Sequence, residues 1–92
     1  MSKETNPLDP IETQLQGERA SSLGEAGRRL EAALEELVLG ATEERIDEAA
    51  TAAWYYMIVR ESMHLFDHEA AFAIYKVPNA VIARVGVIKR TT

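Results

Sequence analysis

The apolar side chains of the first forty residues recur at helical spacing. Leu23, Leu30 and Leu37 lie seven residues apart, and Ala26 and Ala33 fill intervening positions of the same stripe. Most charged side chains fall outside this stripe, as they do on an amphipathic helix whose apolar face packs on a core. The pattern therefore predicts a long amphipathic helix in this part of the chain.

The predicted first helix spans 10–39. Asp9 is a suitable N-cap, Pro10 suits the first helical position, and Gly40 suits the position after the last turn. Such a helix would be ~45 Å long, whereas a compact chain of 92 residues has a diameter of roughly 30 Å. Either the helix breaks near 21–24, or a second chain covers the part that overhangs.

A second helix is predicted over about 43–65, with Thr42 as its N-cap. It contains the eleven nearly apolar residues AATAAWYYMIV at 49–59. This run is about half as long as a membrane span, so it predicts a helix buried between neighbours, with Trp54 inside. Because only residues 40–42 connect the two helices, they should form an antiparallel hairpin.

Two shorter helices are predicted after the hairpin. Asp67 can cap a helix over about 68–76, which ends before Pro78. A last helix should run from Pro78 to Val85 and end at Gly86.

The sequence thus predicts an all-α fold: a long antiparallel helical hairpin plus two short C-terminal helices, with a bundle completed by dimerisation. Residues 9–86 should form a single helical domain, with tails at 1–8 and 87–92.

The net charge of −5 is unevenly distributed. Residues 1–50 carry twelve acidic and five basic side chains, and residues 51–92 carry three and five. The acidic first half disfavours nucleic-acid binding, which requires neutralisation of phosphates. The two halves could instead pair within one chain or between copies. The absence of cysteine excludes disulfides and thiolate zinc sites, and it predicts a cytoplasmic protein.

Candidate chemistry is confined to VRESMHLFDHEA, residues 59–70, which holds both histidines. Glu61 and His64 have the Glu-x-x-His spacing that places two metal ligands on one helix face, and His68 is a further candidate ligand. The competing hypothesis is a corner between helices, in which Asp67 caps one helix and His64 lies at the carbonyl end of the other. No nucleophile–base pair is visible, so we expect no catalytic residue and no cofactor.

Several short pieces together resemble a family of small uncharacterised bacterial proteins of unknown function. The resemblance spans about residues 18–86, and its most distinctive pieces are Gly24-x-x-Gly27-Arg28-Arg29-Leu30, Arg60-Glu61, Asp67-His68 and Tyr75-x-Val77-Pro78. It implies a small helical bacterial protein and supplies no activity or ligand. The family pattern has glycine at position 64, so this chain departs from it at His64.

The leading functional hypothesis is a non-catalytic cytoplasmic interaction module that forms a homodimer, could bind an unknown protein partner, and does not bind membranes. The alternative is a metal-binding or redox helical protein that uses Glu61 and His64.

Overall fold

The computed structural model describes the backbone of residues 10–91 and the side chains of residues 21–90. The described chain contains four helices and no strand. These are α1 (Pro10–Val38), α2 (Glu43–Ser62), α3 (His68–Tyr75) and α4 (Asn79–Thr91). The predicted all-α fold is confirmed. The tail expected at 1–8 lies outside the described residues.

Helix α1 is continuous, without the break considered near 21–24. Its 29 residues correspond to ~43 Å, whereas the 20 residues of α2 correspond to ~30 Å. The molecule is accordingly elongated, with extents of 57 × 26 × 21 Å. Part of α1 therefore extends beyond the helix that it packs against.

The connection between α1 and α2 is short and hydrogen-bonded. Thr42 caps α2 as predicted, since its hydroxyl accepts a hydrogen bond from the backbone N–H of Arg45 at 3.1 Å. The Arg45 guanidinium donates in turn to the Gly40 carbonyl at 3.2 Å. Gly40 has a φ of 153°, a conformation that strongly favours glycine. This turn reverses the chain, so α1 and α2 form the predicted antiparallel hairpin.

Small side chains form the seam of the hairpin. Ala26 and Leu30 of α1 are fully buried, as are Ala49, Ala50 and Ala53 of α2. Alanines at such positions allow two helix backbones to approach closely. Helix α2 also packs against α4, so it lies between two neighbours, as its broad apolar surface predicts.

Helix α4 is longer than predicted. The expected end at Gly86 is wrong, because the helix continues to Thr91. Val81 and Val85 are buried, and Ile88, one turn further on, packs against the same core. This continued apolar stripe explains why the helix does not stop at a glycine.

An ion-pair cluster joins α4 to the start of α2. Arg84 pairs with Asp47, and with Glu43 at 2.6 Å. The hydrogen bonds with Glu43 and then Asp47 raise the pKa of Arg84 above its ordinary value. The acidic first half and the basic second half therefore do pair within the chain.

Trp54 is half-buried, not buried as predicted. The buried aromatic side chains of the core are Tyr56 of α2 and Phe72 of α3, and Trp54 packs against this core while remaining partly exposed. The α2 surface is therefore only partly covered by its neighbours, and Tyr55 is exposed as well.

A glycine in α1 allows α3 to pack against the hairpin. Gly27 of α1 is buried, and a β-carbon there would collide with the hydroxyl of Tyr75. Tyr75 packs edge-to-face on Tyr56 with ring centroids 5.3 Å apart. Burial, followed by the hydrogen bond with Tyr56, raises the pKa of Tyr75 above 10.0. Gly27 thus provides the space in which the end of α3 packs.

Gly27→Ala is expected to destabilise the fold. The new methyl group must displace Tyr75, which costs about 1–3 kcal/mol by overpacking and exceeds the gain of about 0.5–1 kcal/mol from replacing a helical glycine. Urea unfolding followed by circular dichroism measures the difference.

Gly24→Ala is the matched control in the same helix. Its β-carbon would meet only the Arg28 guanidinium, at 3.4 Å, so this variant should be at least as stable as the parent. In a Tyr75→Phe background the hydroxyl is gone, and the nearest ring carbon, Cζ, would lie 3.5 Å from the new methyl carbon, which is an ordinary van der Waals contact. Gly27→Ala should then no longer destabilise the protein. A persistent loss in that background would contradict the proposed collision.

Gly86→Ala tests the extension of α4. A β-carbon at this position meets no atom within 4 Å, so in a continuous helix the substitution should stabilise the fold by about 0.5–1 kcal/mol. If the helix ended at Gly86 in a left-handed conformation, the same change would instead destabilise it. Thermal unfolding of parent and variant distinguishes the two outcomes.

Candidate functional site

The predicted site begins where α2 ends, at Ser62 and not near 65. The backbone N–H of His64 donates to the Glu61 carbonyl and that of Leu65 donates to the Arg60 carbonyl, both at 3.0 Å. This pair of bonds defines a Schellman motif, in which the residue after the cap is left-handed. His64 occupies that position with a φ of 63°. The glycine that the family resemblance implies at position 64 is the residue that this conformation favours.

The start of α3 completes the corner. Asp67 caps the helix as predicted, and its carboxylate accepts a hydrogen bond from the backbone N–H of Ala70 at 3.1 Å. The Arg60 guanidinium donates to the backbone carbonyl of Asp67 at 3.0 Å and lies over the ring of Tyr56. Arg60 therefore fixes the end of α2 to the beginning of α3.

Glu61 pairs with His68, which lies seven residues further along the chain. The Glu61 carboxylate and Nε2 of His68 are 2.9 Å apart, and the His68 side chain is largely buried. Because a carboxylate only accepts hydrogen bonds, this contact places a proton on Nε2. His68 is thus held as a hydrogen-bond donor across the corner.

The candidate ligands Glu61, His64 and His68 do not converge on a common point. The exposed His64 side chain packs near Phe66, with ring centroids 6.1 Å apart, while Glu61 is engaged by His68. Within the described part of the chain, no group of three or more His, Cys, Asp or Glu side chains is placed to hold a metal ion. The helix-corner hypothesis accounts for the contacts of all three residues.

Two of the pieces that carry the family resemblance meet in this corner. Arg60 and Glu61 contact Asp67 and His68, respectively. The other pieces meet where Tyr75 packs over Gly27. These residues therefore position α3 on the hairpin, which gives each of them a structural role.

A groove lies at the end of the molecule that contains the connection between α1 and α2, and we call it the end groove. Its volume is about 600 Å³. It is lined by Glu31, Leu34, Glu35, Leu37, Val38, Ala41, Ile46, Ile74, Tyr75, Lys76, Pro78 and Ala80. Three large apolar side chains at or beside it are strongly exposed: Val38 at 86%, Ile74 at 78% and Leu39 at 72%. The groove is consequently an apolar surface open to solvent.

The rim of the end groove carries charge of both signs. Glu31 and Glu35 lie on the α1 side, and Lys76 follows the end of α3. Among the described residues, neither Lys76 nor Glu35 takes part in an ion pair. Tyr75 connects the groove lining to the buried contact at Gly27. The groove is thus built on the same packing that seats α3.

The end groove is not apparent from the sequence pattern. Val38 and Leu39 follow the last leucine of the predicted stripe, and Ile74 lies between the core residue Phe72 and Tyr75. The sequence shows only that these segments contain more apolar residues than one buried helix face requires. Only the tertiary packing shows that the excess from two separate helices meets at one end.

His64→Gly is expected to stabilise the protein by about 0.5–1 kcal/mol. Glycine relieves the cost of a left-handed side-chain-bearing residue, about 1–2 kcal/mol, and gives back about 0.5–1 kcal/mol in unfolded-state entropy. Lys76→Gly, at the other left-handed position, with a φ of 57°, is the matched control, and it should behave alike at concentrations too dilute for self-association. Thermal melts measure both variants.

The same melts with and without a chelator test the metal hypothesis. If His64 were a ligand of a stabilising metal, the chelator would lower the melting temperature of the parent, and His64→Gly would abolish that sensitivity. For a helix corner, the chelator leaves the parent and both glycine variants unchanged.

The comparisons with known proteins give a family and no activity. No helix in the described part of the chain combines the length and apolar character needed to cross a membrane. No curated protein and no solved structure matches the chain significantly. The sequence model of one family, described as a family of unknown function (DUF6665), matches residues 4–92. Since this match covers nearly the whole sequence, the chain belongs to the DUF6665 family of unknown function.

Proposed function

We propose that this chain is a non-catalytic helical interaction module that works as a homodimer in the bacterial cytoplasm. One observation carries the proposal: the two most exposed large apolar side chains of the described residues, Val38 and Ile74, both line the end groove. Contiguous apolar surface of this kind marks sites of protein association.

The energetics of burial support self-association. Covering an aliphatic side chain of this size contributes about 1.5–3 kcal/mol. The two that line the end groove, Val38 and Ile74, make four in a symmetric dimer and would contribute roughly 6–12 kcal/mol, against an association cost of about 4–15 kcal/mol. A dimer at micromolar concentration needs a net association free energy of about 8 kcal/mol, so the rest of the apolar groove lining must be covered as well.

The remaining chemistry of the chain supports a role without catalysis. His68 is held by Glu61, and His64 occupies the end of α2 in a left-handed conformation. Asp67 is engaged as a helix cap. The absence of cysteine supports the proposed cytoplasmic location, where disulfides are rare.

The mass in solution tests the homodimer. Light scattering after size exclusion should give twice the chain mass of 10.2 kDa at micromolar concentrations. Dilution should shift the mass towards that of one chain, because dimerisation depends on concentration by mass action. A mass of one chain throughout the micromolar range would rule out the homodimer.

A further inference from the structure

We infer that the end groove is self-complementary and that a second copy of this chain docks into it around a two-fold axis parallel to the groove. Ile74 and Val38 of each copy lie against the groove of the other, and Lys76 of each copy faces Glu35 of the other. This inference rests on the proposed homodimer and adds the surface and the relative orientation of the two copies.

The lining residues define two walls of different charge. One wall is the last two turns of α1, where Glu31, Leu34, Glu35 and Val38 share one helix face at i, i+3, i+4 and i+7 spacing. The other wall contains the end of α3 and the start of α4, with Ile74 and Lys76. The α1 wall is acidic and the opposite wall is basic.

The charges select one of the two symmetric arrangements. A two-fold axis along the groove brings the acidic wall of one copy over the basic wall of the other. An axis across the groove would bring like charges together, which is disfavoured. Because the groove follows α1, the selected arrangement keeps the two α1 helices parallel.

The apolar contacts fit the same arrangement. Ile74 and Val38 are 78% and 86% exposed, and they lie on opposite walls. A two-fold interface places each of them against the equivalent apolar lining of the other copy, so both side chains leave water in both copies. The apolar lining of the groove on one copy is then buried by the same apolar lining on the other copy.

Ile74→Ser tests the surface. It should weaken the dimer at least about tenfold, because a large apolar contact is lost in both copies. The side chain is exposed in the single chain, so the fold should be retained, as circular dichroism can verify. Ile58→Ser is the matched control, since Ile58 is 44% exposed on α2 and does not line the groove. Its dimer dissociation constant should equal that of the parent.

Two charge variants test the orientation. Lys76→Glu and Glu35→Lys should each weaken the homodimer by roughly tenfold, because each places like charges opposite one another twice. An equimolar mixture should recover dimerisation, since both contacts of the mixed dimer pair opposite charges. Rescue by mixing cannot arise from an ion pair within one chain.

The outcomes separate this inference from the proposed function. If the parent is monomeric, both the homodimer and this docking are wrong. If the parent dimerises and Ile74→Ser has no effect, the homodimer stands but the surface assignment is overturned. If the charge variants weaken the dimer and mixing gives no rescue, the parallel orientation is overturned.

Discussion

The close contact between α1 and α2 is the interaction on which the rest of this structure depends. Ala26 and Leu30 of α1 lie in one buried core with Ala49, Ala50 and Ala53 of α2, and alanines allow two helix backbones to come close together. Tyr75 of α3 packs on Tyr56 of α2 and over Gly27 of α1, and Phe72 of α3 is buried in the same core. These contacts hold α3 on the hairpin.

Local chemistry is the part of this fold that can be predicted from the sequence. Thr42 and Asp67 each cap a helix through a hydrogen bond to a backbone N–H three residues later, so their role depends only on neighbouring residues. The apolar stripe through Leu30 likewise identifies the buried face of α1. The hairpin follows because a connection this short favours neighbouring antiparallel helices.

The predictions that failed depended on contacts distant in sequence. Glycine often follows the last turn of a helix, as expected at Gly86, but Ile88 packs on the core and the helix continues. The Glu-x-x-His spacing of the metal alternative pairs Glu61 with His64, whereas the chain turns after Ser62 and Glu61 contacts His68. The end groove is formed by the surplus apolar residues of two helices, and their meeting cannot be read from either segment alone.

The position of Tyr75 has a thermodynamic consequence. This residue lines the end groove on one side and packs over Gly27 and Tyr56 on the other, so the groove exists only while α3 is docked on the hairpin. Any molecule that bound the groove would therefore bind only the folded chain. By linkage, such a molecule would raise the free energy of unfolding, and the chain would resist unfolding most where that molecule is abundant.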